Sequence, residues 1–224
     1  MTARFISHTS GLTKRLTLSA TLAGCLGFAC GLGAQTPSRQ PVVLGVMGVA
    51  TYGNPGDTPL PLNPGDNLAE GLELKTGQNS AADLSLGKTA GVLRLAENTT
   101  VVIEKFVAGE NTPEEEIRIR VSLKGGTVLG LGNRLSTVAR YEVRTPTTIL
   151  AVGGSEFRID ANGPVVLLAG KILVAHAPPG GQPTAHTLQA PPAVFFSPAT
   201  GVQRAPSALE REVRAQCKPK LKPR

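Results

Sequence analysis

Eight consecutive residues, Ile117-Arg118-Ile119-Arg120-Val121-Ser122-Leu123-Lys124, alternate apolar and polar without a break. A strand places successive side chains on opposite faces, so this run presents four β-favouring side chains to a core and four polar ones to water. Shorter alternations recur at Leu72–Lys75, Ala82–Leu86, Val92–Leu95, Val101–Glu104, Tyr141–Thr145, Glu156–Asp160 and Lys171–Val174. Turn-forming stretches separate them: Asn63-Pro64-Gly65-Asp66, Gly77-Gln78-Asn79, Gly87-Lys88-Thr89, Glu97-Asn98, Lys124-Gly125-Gly126 and Ala161-Asn162-Gly163-Pro164. Strands of about five residues recurring at intervals near ten predict an all-β chain, in which short antiparallel strands form a β-roll or stacked β-sandwich. Composition agrees: 26 Gly and 18 Pro among 224 residues disfavour a helix bundle, and 41% apolar content suffices for a core.

The ends of the chain read differently. Lys14-Arg15 precedes an uncharged, apolar run from Leu16 to Ala34, and polar Gln35-Thr36-Pro37-Ser38-Arg39 follows, which is the layout of an export signal over residues 1–34. Two alternatives stay open. Leu22-Ala23-Gly24-Cys25 resembles a lipobox, with Cys25 as the lipidated residue, and the run is also long enough for an uncleaved membrane anchor. At the other end, Pro178-Pro179-Gly180-Gly181 and Pro191-Pro192 cannot donate to a central ladder, so Val194-Phe195-Phe196 is expected as an edge or closing strand. Ser207 and Glu210 have capping-box spacing, and Leu209 and Val213 give a short C-terminal helix its apolar stripe. A disordered basic tail, Lys218–Arg224, is expected beyond it.

The net charge of +7 suggests a nucleic-acid binder until it is divided along the chain. Residues 1–34 carry Arg4, Lys14 and Arg15 and no acid; residues 204–224 carry seven bases against Glu210 and Glu212; residues 35–203 carry 13 bases and 14 acids. A near-neutral middle argues against a nucleic-acid surface. The basic tail suits peripheral contact with anionic lipid headgroups or wall polymers. Cys25 and Cys30 fall in the leader, leaving Cys217 as the lone thiol of a cleaved chain, read as free and without function. His8, His176 and His186 are scattered, read as solvated, and form no metal constellation. No cofactor is expected.

Three motif-like stretches fail on context. Ala82–Thr89 fits a permissive phosphate-loop spelling, but Leu84 and Leu86 alternate as a strand inside the supposed loop, and Gly91–Leu95 reads as another strand rather than the required helix. Gly126–Gly132 is Gly-rich with no following helix, and reads as a tightly packed strand. Gly153-Gly154-Ser155-Glu156-Phe157 has the start of a nucleophile elbow, yet Phe157 occupies the position of the required second Gly. Val107–Glu116, with three consecutive glutamates, reads as a solvated hairpin loop.

The stretch Arg144-Thr145-Pro146-Thr147-Thr148-Ile149-Leu150-Ala151-Val152-Gly153-Gly154-Ser155-Glu156-Phe157 resembles the signature segment of the FecR domain family, R-T-P-T-A-V-A-x-V-R-G-T-E-F. Asn63–Gly77 followed by Ala82–Leu86 is similar to that family's opening, and Val165–Val174 with Gly170 to its closing strand, so the likeness covers about residues 43–203. Gly153 replaces the family's Arg, and Ser155 keeps the hydroxyl of its Thr. Family members that regulate iron uptake resemble transmembrane anti-sigma factors, with a cytoplasmic sigma-binding segment. Only about fourteen residues precede the apolar run here, so that activity is not expected to carry over. The resemblance implies an exported, non-enzymatic domain over residues 35–203 that binds another protein or an envelope polymer, with Arg144, Thr145, Pro146, Gly154, Ser155, Glu156 and Phe157 in structural roles. Residues 204–224 form the basic helix and tail.

Overall fold

In a computed structural model that describes residues 40–108, 113, 116–132 and 139–217 (the backbone alone at Thr89), the chain is all-β, as its alternation predicts. The leader with Cys25 and the tail from Lys218 lie outside the described residues, as does most of the Val107–Glu116 loop. Turn residues set the strand ends. The strands are β1 (Val42–Met47), β2 (Ala50–Gly53), β3 (Leu60–Pro61), β4 (Glu73–Thr76), β5 (Ala81–Ser85), β6 (Val92–Leu95), β7 (Thr100–Val107) and β8 (Arg118–Gly125). They continue as β9 (Thr127–Leu131), β10 (Arg140–Arg144), β11 (Thr148–Val152), β12 (Glu156–Asp160), β13 (Val165–His176), β14 (Thr184–Ala190), β15 (Val194–Ser197) and β16 (Gly201–Arg204).

Two sheets share one strand. The first runs β1-β5-β6-β9-β12 and then the front half of β13, flanked by β15 and β16; the second runs from β14 through the back half of β13 to β11-β10-β8-β7-β4-β2-β3. Val165–Leu167 pair with β12 and β15, whereas Ile172–His176 pair with β11 and β14. The strand changes partners at Gly170, whose φ is +92°. A Cβ at that position would lie 2.6 Å from the Gly154 carbonyl oxygen and 2.7 Å from Ser155 Oγ, so only glycine fits the turn-over. Inward residues of both sheets, among them Leu74, Leu84, Leu93, Ile103, Val121, Val143, Leu150, Phe157, Leu167 and Val174, fuse into one core. Each such side chain stabilises the fold by about 1.5–3 kcal/mol through burial.

The pairing is not antiparallel throughout. After β8 the chain crosses to the first sheet as β9 and returns as β10, which lies parallel to β8 with Arg140 opposite Arg118 and Val143 opposite Val121. A return after one full lap restores the original direction, and this produces the roll.

Other expectations need correction. Gly87–Ala90 forms a single helical turn, α1, linking β5 to β6. Val194–Phe196 is not at the edge: β15 lies between β13 and β16. The Pro-rich stretch after Ala175 contains β14, whose seven residues pair with Gly170–His176. His176 is consequently buried rather than solvated, with its Nδ1 bonded to Thr148 Oγ1 at 2.9 Å. The C-terminal helix α2 (Ser207–Cys217) begins as expected, but Glu210 is engaged otherwise than in a capping box. Its Glu210 carboxylate accepts from Arg214 one turn on, and the Glu210 amide donates to the Pro206 carbonyl.

Candidate functional site

The family-like segment is assembled from turns and core. Arg144 ends β10, and its guanidinium donates to Glu142 at 2.8 Å. Thr145 Oγ1 accepts the amides of Thr147 and Thr148, and the Thr145 amide donates to the Thr148 carbonyl, which closes a hairpin with Pro146 exposed at its tip. Gly154, with φ +78°, turns the chain from β11 toward β12. Ser155 is buried, and its hydroxyl donates to the Lys171 carbonyl at 3.0 Å, so the hydroxyl fastens the bend to β13. Glu156 is half-buried at the head of β12. Phe157 is fully buried directly opposite Gly130 of β9. A Cβ on Gly130 would lie 2.8 Å from Phe157 Cδ1 and closer still to Cε1 and Cζ; the glycine makes room for the ring.

The outer face of the first sheet is covered. Val213 and Cys217 of α2 pack with Leu129, Val166, Leu168, Ala193 and Ala205. Cys217, read as a free thiol of the basic C-terminal segment, is free but buried, and burial pushes its thiol up to about 11, with the nearby Glu156 charge adding to the shift. Two arginines fasten the helix. Arg158 Nη1 donates to Glu212 at 3.3 Å and to Gln216 at 3.4 Å. Arg94 Nη1 donates to the Gln216 carbonyl at 2.6 Å, placing a cation at a helix C-terminus where the dipole favours it. The same guanidinium grips Asp83 in a two-pronged pair, Nε to Oδ1 at 2.6 Å and Nη2 to Oδ2 at 2.7 Å. Asp83 and Arg94 are both buried, although each occupies the polar position of an alternating strand. Beside them, between the end of α2 and β1, a cavity of about 370 Å³ is lined mainly by Met47, Ala81, Ala96, Leu129, Asp83 and Arg94.

The outer face of the second sheet stands open among the described residues. No described element packs over it, and it divides into two zones. On β11 and β13, Ile149 (41% exposed) and Leu173 (46% exposed) point outward with Ala151, which pairs with Leu173. Beside this apolar patch lie Arg140, Glu142 and Arg144 of β10, then Arg118 and Arg120 of β8 and Lys105 of β7. Glu142 accepts from Arg144 and from Arg120 at 3.3 Å, and Arg120 also approaches Glu104 at 3.9 Å. Partial burial alone would raise the Glu142 carboxyl, but hydrogen bonds from the two arginines outweigh it and hold the group below its usual range.

The remaining motif residues do not converge. Lys88 is exposed on α1, whose Ala90 carbonyl oxygen lies beside Gly132 and the Ser155 backbone, but the Ser155 hydroxyl is turned to the Lys171 carbonyl. His176 is engaged by Thr148, and His186 tilts against the Phe196 ring at 5.3 Å. Among the described residues, no group of three or more His, Cys, Asp or Glu is placed to hold a metal ion, and no helix is long and apolar enough to cross a membrane.

No protein-family model matches the chain, and no curated protein matches it significantly. Among solved structures, it is similar to a protein from Parabacteroides distasonis ATCC 8503, described as a candidate anti-sigma factor and determined at 2.50 Å resolution. Identity is 18% and the TM-score 0.43; the match covers 59% of this chain and 58% of that one, so this chain spans less than two thirds of that protein.

Proposed function

We propose that this chain is an exported, non-enzymatic β domain of the cell envelope that acts by binding a protein partner. One observation carries the reading: the first sheet has its outer face sealed by α2, while the second leaves Ile149 and Leu173 in water beside an arginine-rich zone. Apolar side chains rimmed by arginine match the composition of protein-binding surfaces. The resemblance of Arg144–Phe157 to the FecR domain signature supports a signalling or scaffolding role, and the charge-free run before Gln35 supports export. To test it, wild-type protein and an Ile149→Ser/Leu173→Ser variant would be used to capture proteins from envelope extract, with thermal melts confirming that both are folded. A partner retained by the wild type and lost by the variant supports the proposal; identical captures by both would refute the assignment to this face.

A second reading is retention on anionic lipid or wall polymer by the basic C-terminus. It is favoured by the exposed Arg211 and Arg214 of α2, which lead into Lys218, Lys220, Lys222 and Arg224. Its test is a truncation. The cut belongs after Cys217, because Val213 and Cys217 cover the first sheet and removing α2 would strip that face. Salt-sensitive retention on anionic vesicles should disappear with the tail while partner capture persists; unchanged retention would refute this reading.

A further inference from the structure

Sheet edges that are left open are normally blunted, by shortness, a bulge, proline or charge, because a row of unpaired amides and carbonyls invites another strand. Three edges of this domain follow that rule. β1 is bulged between Val43 and Gly45. β3 has two residues, one of them Pro61. β16 has four residues and ends in Arg204.

The fourth edge, β14, does not. Its seven residues, Thr184-Ala185-His186-Thr187-Leu188-Gln189-Ala190, pair one for one with β13 with no shift of register. They include no proline and no Asp, Glu, Lys or Arg. Nothing among the described residues pairs with the opposite side of the strand, and no backbone hydrogen bond outside its ladder involves it. Leu188 and Ala190 are buried in the core and anchor the strand's C-terminal half.

We propose that two copies of this chain pair through β14, antiparallel about a two-fold axis, and so join their second sheets into one. The occupant follows from charge. Around a two-fold axis between antiparallel strands the central residue faces its own copy and positions equally spaced to either side face each other, so a charge at the centre would confront its own sign. A strand without formal charge is the kind of edge that tolerates its own copy, and the outward Ala185, Thr187 and Gln189 offer small or hydrogen-bonding cross-strand pairs. The contact is confined to one strand, which places it below the roughly 1,200 Å² of a standard stable interface and makes the dimer weak and reversible. Thr187 is the cross-strand neighbour of Leu173, but the pairing is made by backbone groups at the open edge, so the Ile149→Ser/Leu173→Ser variant is expected to dimerise like the wild type.

The experiment places charge at the centre of the strand. Sedimentation velocity of the mature chain over about 1 to 100 µM, spanning weak affinities, would compare wild type, Thr187→Lys, Thr187→Glu and an equimolar mixture of the two variants. Wild type should move toward dimer mass with concentration. Each variant should stay monomeric while melting within a few degrees of wild type, and the mixture should regain the dimer because opposite charges then face each other. A wild type that stays monomeric throughout overturns the proposal, as do folded single variants that dimerise undiminished or a mixture that stays monomeric.

Discussion

The contact between Gly130 and Phe157 permits a double-mutant cycle whose sign can be worked out beforehand. Carbon atoms in contact sit about 3.5–4.0 Å apart, so a Cβ at position 130, 2.8 Å from Phe157 Cδ1 and nearer to Cε1 and Cζ, must drive the ring aside. The ring has nowhere to go, since Phe157 is 0% exposed inside the shared core. Overpacking of this kind costs about 1–3 kcal/mol or more. Opposing it, replacing glycine restricts the unfolded chain and stabilises by about 0.4–1 kcal/mol. Gly130→Ala should therefore be net destabilising, by about 1–2 kcal/mol. Phe157→Leu alone loses buried area and leaves a cavity, costing less than the 3–5 kcal/mol or so of a Phe→Ala change. Leucine lacks the ring-edge atoms nearest position 130, so the new methyl enters the vacated space in the double variant. Its loss should fall short of the sum of the singles by about 1–3 kcal/mol, the range for residues in contact. Urea unfolding of the four proteins, with linear extrapolation, measures the coupling. Additivity within about 0.5 kcal/mol, or a Gly130→Ala variant more stable than wild type, would show that the ring does not use the glycine's space.

Four further outcomes are expected. Tyr141 is buried with no hydrogen-bond partner for its hydroxyl among the described residues, so Tyr141→Phe should raise stability in urea by about 1 kcal/mol, and a loss of that size would reveal a hidden partner. Burial also pushes the Tyr141 phenol above its ordinary value; its contribution is full below about pH 10 and fades as pH climbs toward the raised native value, so stability followed by circular dichroism should fall on that side. Asp83→Ala leaves the Arg94 guanidinium buried without its carboxylate and should cost about 3–5 kcal/mol in chemical denaturation, whereas Asp83→Leu/Arg94→Met should recover most of it; equal losses in the two proteins would contradict this. Finally, the Cys217 thiol, buried and raised to about 11, should resist iodoacetamide in the native protein and react once denatured, as read by peptide mass at that residue.

Alternation and turn chemistry made most strands legible, because each is short and bounded by Gly, Asn or Pro, as at Asn63–Asp66 and Ala161–Pro164. What alternation conceals is which face is wet. Asp83 and Arg94 occupy polar positions and would be assigned to solvent, yet α2 covers their side of the sheet, so they meet as a buried pair. Conversely, Ile149-Leu150-Ala151-Val152 is apolar throughout and would be read as buried on both faces, whereas Ile149 and Ala151 stand in water. The candidate surface therefore has no local sequence signal: it is defined by the lack of a covering element among the described residues, which no local pattern encodes. β14 carries no alternation signal, because Pro183 and Pro191 bracket it and its residues are mostly small or polar. The parallel placement of β10 beside β8 depends on a lap through the other sheet, and local patterns do not report such long-range returns.

The strand shared at Gly170 also constrains the order in which this domain can be completed. β13 is the only described strand that belongs to both sheets, and it ends at His176, late in the chain. Until it is available, β12 lacks one neighbour, β11 lacks another, and neither sheet can close over Phe157 and Leu150. A nascent chain with residues up to Asp160 emerged has most of its strands but not the member that welds them. Non-local pairings such as β1 with β5 and β6 with β9 also slow folding, toward the millisecond-to-second range of β sandwiches and barrels. For a protein exported as proposed, this is an advantage: the part of the chain that enters the translocation channel first stays threadable until the part that locks it has been made, and the two sheets should then fold and melt as one cooperative unit.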